Sequence, residues 1–230
     1  MKNLDITTGF LCLCSLIQFT VSNHLKVRHV CEDQHIDITQ ASGVALEGDA
    51  QSQVNITGIK FPLNSFAEGD KLTLQFRTTS TAGIIFHAQS HHYRHMLTAY
   101  IEDSQIRLRV VGQCRWMYVR DIAHDSINVS DNNFHTLVIL VRPTRVSFSI
   151  DHRDEQTFLY TTRSTFRCWH VEQFFFGKPP NATAESSYQP PEFDHRIDGC
   201  IRYVTTTGTN NTDTDISASY KRVSSCLDLS

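Results

Sequence analysis

The stretch "KLTLQFRTTSTAGIIFHAQS", Lys71 to Ser90, decides the fold. Leu72, Leu74 and Phe76 alternate with Thr73, Gln75 and Arg77, the two-residue period of a strand with one buried and one wet face. "STAG" interrupts the run, and a second apolar segment follows at once. The same period recurs outward along the chain. In "SQIRLRVV", Ile106, Leu108 and Val110 oppose Arg107 and Arg109; in "RVSFSIDH", Val146, Phe148 and Ile150 oppose Ser147 and Ser149. "TLVILV" (136–141) and "QFFFG" (173–177) are apolar throughout, which predicts strands covered on both faces. "AEGDK", "EDSQ", "SDNN", "RPTR" and "HRDE" supply turns between them. No helical period runs beyond about two turns. Many short strands with regular turns predict an all-β, antiparallel β-sandwich or barrel.

The ends of the chain set its compartment. "MKNLDITTGFLCLCSLIQFTVSN" has a weakly basic start, an apolar run from Gly9 to Phe19, and small residues Thr20 and Ser22. It reads as a secretory signal peptide, too short for a comfortable membrane span. We therefore expect a signal peptide at 1–22, an N-terminal segment at 23–43 and one domain at 44–230. No other segment approaches transmembrane length, so the mature chain is expected to be secreted. Sequons at Asn55, Asn128, Asn181 and Asn210 support that compartment and mark expected glycosylation sites. A formal net charge of −3 argues against a nucleic-acid partner. "KPPNATAESSYQPPEF" (178–193) holds four of the six prolines and reads as a surface loop.

Seven cysteines are present, of which Cys12 and Cys14 leave with the signal. Cys31, Cys114, Cys168, Cys200 and Cys226 remain, and none shows Cys-x-x-Cys spacing. Two disulfides with one cysteine left over is the plain reading, and the pairing is open from sequence.

The strands also carry a family pattern. Phe76-Arg77-Thr78, Gly83-Ile84-Ile85-Phe86, His135, Ile150-Asp151, Gly177 and Gly199-Cys200-Ile201-Arg202 follow one another in the order of the laminin G-like (LNS) domain, a jelly-roll sandwich. The chain resembles that family from about Val44 to Cys226. Phe134 stands for the family's usual Trp, Ser104 for a turn Gly, and Lys178 for a second Gly. The resemblance implies a Cys200–Cys226 disulfide. Cys114 and Cys168 lie outside the pattern and are assigned to each other, which leaves Cys31 free or available for a disulfide-linked dimer.

Enzyme signatures are absent. There is no Gly-x-Ser-x-Gly elbow, His-Glu-x-x-His, phosphate loop or dinucleotide glycine pattern. The carboxylate spacing of jelly-roll glycosidases is missing too, so no enzymatic activity is expected. The resemblance implies instead a calcium site on the sandwich rim, which grips sulfated glycans or receptors. Sliding the family's strand onto this chain puts His95 at the usual Asp position, and the companion loop offers Arg163 and Arg167. Imidazole and guanidinium do not replace the hard oxygen ligands of calcium, so that site is expected to be lost and no cofactor is assigned.

"HAQSHHYRHMLTAY" (87–100) places His91, His92, Tyr93, Arg94 and His95 in the same rim loop. Three readings stand side by side: a solvated turn, a zinc or copper site on His91, His92 and His95, and direct anion contact by Arg94, Tyr93 and His95 with Arg163 and Arg167. Trp116 and Tyr118 read as strand residues packing against a sheet or loop. The expected function is a secreted adhesion or recognition module for an extracellular protein receptor or a sulfated or acidic glycan. The alternative is a carrier holding a small apolar, steroid-like ligand between the two sheets.

Overall fold

The structure, a computed structural model, describes residues 38–48, 52–61, 69–90, 95–113, 117–124, 126–142, 144–159, 169–177, 195–207 and 217–226. These carry thirteen strands: β1 (Val44–Glu47), β2 (Gln53–Phe61), β3 (Asp70–Thr78), β4 (Gly83–Gln89), β5 (Met96–Glu102), β6 (Gln105–Gln113), β7 (Met117–His124), β8 (His135–Arg142), β9 (Arg145–Ile150), β10 (Gln156–Leu159), β11 (Val171–Gly177), β12 (Asp198–Thr207) and β13 (Ser217–Lys221). They form two antiparallel sheets, one ordered β1-β12-β3-β8-β9-β10 and the other β13-β2-β11-β4-β5-β6-β7.

The period-two strands do what their sequence asks. In β3 and β8 every second residue is buried and the intervening ones are half-buried. Between the sheets Phe61, Phe76, Phe86, Phe148, Phe174 and Phe176 are all nearly sealed from solvent and share one core cluster with Trp169. Phe86 lies 6.5 Å from Phe174 and 6.0 Å from Phe176, within the range of favourable ring pairing.

The two all-apolar runs differ. In β11, Phe175 points outward against His87 yet is only 5% exposed, so both faces of that strand are covered. In β8 the outward Val138 and Leu140 are only half-buried, which corrects the two-faced reading of 136–141. Those outward positions are partly open to solvent, although Ser147 opposite Leu140 is buried, and aliphatic residues persist there because sheet formation favours them on either face.

Two connections position the rims. Asp103 and Ser104, both at positive φ, join β5 to β6 as a two-residue hairpin. Gly83 opens β4 at φ 138°, where a Cβ would come within 2.7 Å of the Arg196 carbonyl carbon; only glycine fits that approach. A disulfide joins Cys200 of β12 to Cys226, closing the C-terminal segment onto the sheet with Cα atoms 5.6 Å apart. Cys31, Cys114 and Cys168 lie outside the described residues.

Candidate functional site

The rim expected to carry function is the end where β4 turns into β5. The base of that turn is clamped: the Ser90 N–H donates to the His95 carbonyl at 2.9 Å, and the His95 N–H donates to Ser90 Oγ at 3.2 Å. His91, His92, Tyr93 and Arg94, which the clamp brackets, lie outside the described residues, as do Arg163 and Arg167. The structure thus places one of the rim candidates, His95, and it is not a solvent-facing group.

His95 is 7% exposed. Its ring sits 6.4 Å from Trp169 and 5.6 Å from His170. Nδ1 lies 3.2 Å from the His170 carbonyl and 3.4 Å from its N–H, so the tautomer decides which backbone group it engages. Trp169 is buried, and its indole N–H donates to the Val111 carbonyl at 2.8 Å, tying the start of β11 to β6. His170 in turn faces Glu172 at 3.1 Å. The result is a packed aromatic knot, Trp169–His95–His170, that joins three strands at this rim. Among the described residues no group of three or more His, Cys, Asp or Glu is arranged to hold a metal.

Trp169 and His170 were missed by reading the sequence, although the first is among the largest fully buried side chains. The reason is a β-bulge between Val171 and Gln173. Before it, Trp169 and Val171 face inward; after it, Phe174 and Phe176 do, so the strand has no single period. Trp116, weighed in its place, lies outside the described residues, whereas Tyr118 is half-buried against the core.

A second histidine of the opening stretch, His87, is also internal. Its ring contacts Thr98 Oγ1 at 2.9 Å and Gln89 Oε1 at 3.3 Å on the outer side of β4. Burial, opposed by the Gln89 hydrogen bond, lowers its pKa to about 4. The wet face expected at Arg107 and Arg109 is occupied by ion pairs, Arg107 with Glu102 and Arg109 with Asp121. At the opposite end of the sandwich, Gly48, Ser80, Thr81, Ala82, His195 and Arg196 line a notch of about 410 Å³. Glu47 and Asp198, paired across β1 and β12, border the same corner.

Of the sequon asparagines, Asn55 lies within β2 between Phe175 and Ser219. Asn128 is exposed, with its carbonyl oxygen accepting the Ser130 N–H at 2.8 Å. Asn181 and Asn210 lie outside the described residues.

A two-sheet antiparallel jelly roll with a filled core and a packed rim defines the architectural class. The model of the laminin G domain matches residues 76–209, more than half of the chain. The chain therefore belongs to the laminin G domain family, whose members commonly mediate extracellular binding and are typically non-enzymatic. Solved structures agree on the fold. Domains LG4-5 of the mouse laminin alpha1 chain align at 14% identity and TM-score 0.60, over 82% of this chain and 47% of that one. The LG1-3 region of the laminin alpha2 chain aligns at 12% and 0.57, over 81% and 35%. A SAP-like pentraxin from Limulus polyphemus aligns at 9% and 0.53, over 83% and 97%. This chain thus spans about half of the first laminin structure and about a third of the second. No curated protein matches the chain.

Proposed function

We propose that this chain is a secreted, non-enzymatic recognition module that binds an acidic glycan or a cell-surface receptor without calcium. The observation that carries the calcium-free reading is His95. It stands where the resemblance puts a calcium-ligating aspartate, and its imidazole is buried and turned to the backbone of His170. A neutral or cationic nitrogen donor there offers calcium none of the oxygen ligands it requires. With signal residues 1–22 removed, the working unit is the domain at 44–230.

The test is binding of the secreted chain to intact cells and to sulfated glycans, with and without a metal chelator. Binding is expected to survive chelation and to weaken with salt. Binding abolished by the chelator would overturn the reading and return the rim histidines to consideration as ligands.

A further inference from the structure

β12 presents to solvent a ring that strand alternation would have buried. Ile201 faces the core, and two positions on Tyr203 should follow it inward. A β-bulge between Arg202 and Thr205 prevents this. Arg202 pairs with Gln75 and Thr205 with Thr73, so β12 spends one residue more than β3 on the same interval. Tyr203 takes up the excess at φ 52°. Val204 occupies the inward place, and its N–H donates to the Ile38 carbonyl at 3.0 Å. Tyr203 is left 38% exposed. A large aromatic at positive φ is a strained position, and the core contact that would offset the strain belongs to Val204.

Two guanidinium groups are held beside that ring. Arg202 Cζ lies 3.6 Å from the centre of the Phe134 ring and 5.2 Å from that of Tyr203, and Arg77 Cζ lies 5.0 Å from Phe134. All three distances are within the range of cation–π attraction. Arg202 Nε donates to Gln75 Oε1 at 3.0 Å, and Gln75 Nε2 donates on to Thr136 Oγ1 at 3.3 Å. Neutral partners therefore fix Arg202 in place. Among the described residues neither Arg77 nor Arg202 meets a carboxylate, whereas Arg107 and Arg109 of the other sheet each do. This end of the sheet is open: Tyr203 and Thr205 are exposed, and Arg77, Phe134 and Arg202 are half-buried.

We infer that this cluster is the contact surface for an acidic segment of a protein partner, whose carboxylates meet Arg77 and Arg202 while an apolar side chain packs on Tyr203. A guanidinium stacked on a ring still presents its in-plane N–H donors to a carboxylate. Arg and Tyr are also the residue types that carry the hot spots of protein–protein contacts. Two cations are too few for a polyanion, whose binding is built on many neutralised charges, and a net charge of −3 adds no long-range attraction for one. β12 and β3 are interior strands, so the contact is made by side chains and not by an added strand. The inference rests on the recognition reading above; it makes the partner a protein and places the contact on a sheet face instead of the rim loops.

The experiment measures binding of the full secreted chain to a fluorescent peptide of Asp, Glu, Phe and Gly, to the same peptide with Asn and Gln for its acids, to heparin, and to intact cells. The acidic peptide is expected to bind at least ~10-fold more tightly than its amide counterpart. Arg77→Gln with Arg202→Gln, and separately Tyr203→Gly, should each weaken that binding by about 10-fold, and Arg109→Gln should leave it unchanged. The thermal midpoint of Tyr203→Gly should hold or rise, because glycine suits φ 52°. A merely structural tyrosine would lower it. Should the double arginine variant misfold, Tyr203→Gly decides alone.

No binding of the acidic peptide, or binding indifferent to its acids or to Tyr203, would overturn the inference. Heparin binding lost in the same variants while peptide binding persists would overturn it too, by giving the patch to a polyanion. Cells bound equally by wild type and Tyr203→Gly would overturn it and leave the recognition reading standing. A wild type that binds the peptide but neither cells nor sulfated glycans would overturn the recognition reading alone.

Discussion

Ser104 shows how a single residue departs from its family and what that costs. It sits at φ 63° in the two-residue β5–β6 connection, where the resemblance has glycine. A side chain in that left-handed region is strained, while the backbone bonds around it do not depend on residue type. Ser104 N–H donates to the Thr81 carbonyl at 2.8 Å, and its carbonyl accepts from Val129 at 2.9 Å. Ser104→Gly should therefore stabilise the domain, by up to about 1 kcal/mol once the greater freedom of an unfolded glycine is subtracted. A denaturant midpoint shifted upward at constant slope is the expected result. The position was legible in sequence through "EDSQ"; its strain was not, because strain depends on the turn type that the paired strands impose.

Among the elements, β12 and β11 carry the most. β12 lies between β1 and β3, and its Cys200 fastens the C-terminal segment, which also bridges back through Ala45 and Ser224. Loop-closure entropy for a separation of 26 residues is worth on the order of 3 kcal/mol. Cys200→Ser with Cys226→Ser is expected to lower stability by about that amount, and calorimetry of the paired variant would read it directly. β11 gains its importance differently. Its bulge turns Trp169 and Phe174 to the same core although they lie five positions apart, so the alternation that revealed β3 and β8 could not reveal it.

At the scale of the whole molecule, two histidines oppose each other in acid. His87 is buried and its pKa is lowered to about 4, so the folded state resists its protonation. Stability from this group is full above the unfolded value near 6.5 and falls on acidification towards pH 4, by about 3 kcal/mol in total. His135 behaves the opposite way. Burial opposes its charge, but Asp151 at 2.8 Å and Asp131 at 3.0 Å outweigh it and raise the pKa. Its contribution is full below about pH 6.5 and is lost as pH rises through the raised value. Thermal midpoints between pH 4 and 8 should therefore fall at the acid end in the wild type. His87→Gln should flatten that limb, and His135→Gln should remove any loss between pH 6.5 and 8; an unchanged acid limb in His87→Gln would refute the assignment.

Period and turn spacing by themselves determined the all-β class, the antiparallel pairing of neighbours and, through ordered family marks, the laminin G resemblance. These are local properties: a strand with one buried face must alternate, and a hairpin needs residues that tolerate its turn. Only the tertiary structure decided which charges are paired and which histidines are internal. Arg107 and Arg145 read alike in sequence, yet one meets Glu102 and the other faces Arg142. His95, read as a rim ligand, is packed on Trp169, which lies more than seventy residues away in the chain just ahead of β11. Pairing and burial depend on which strands are neighbours, and that is settled when the two sheets close on one core.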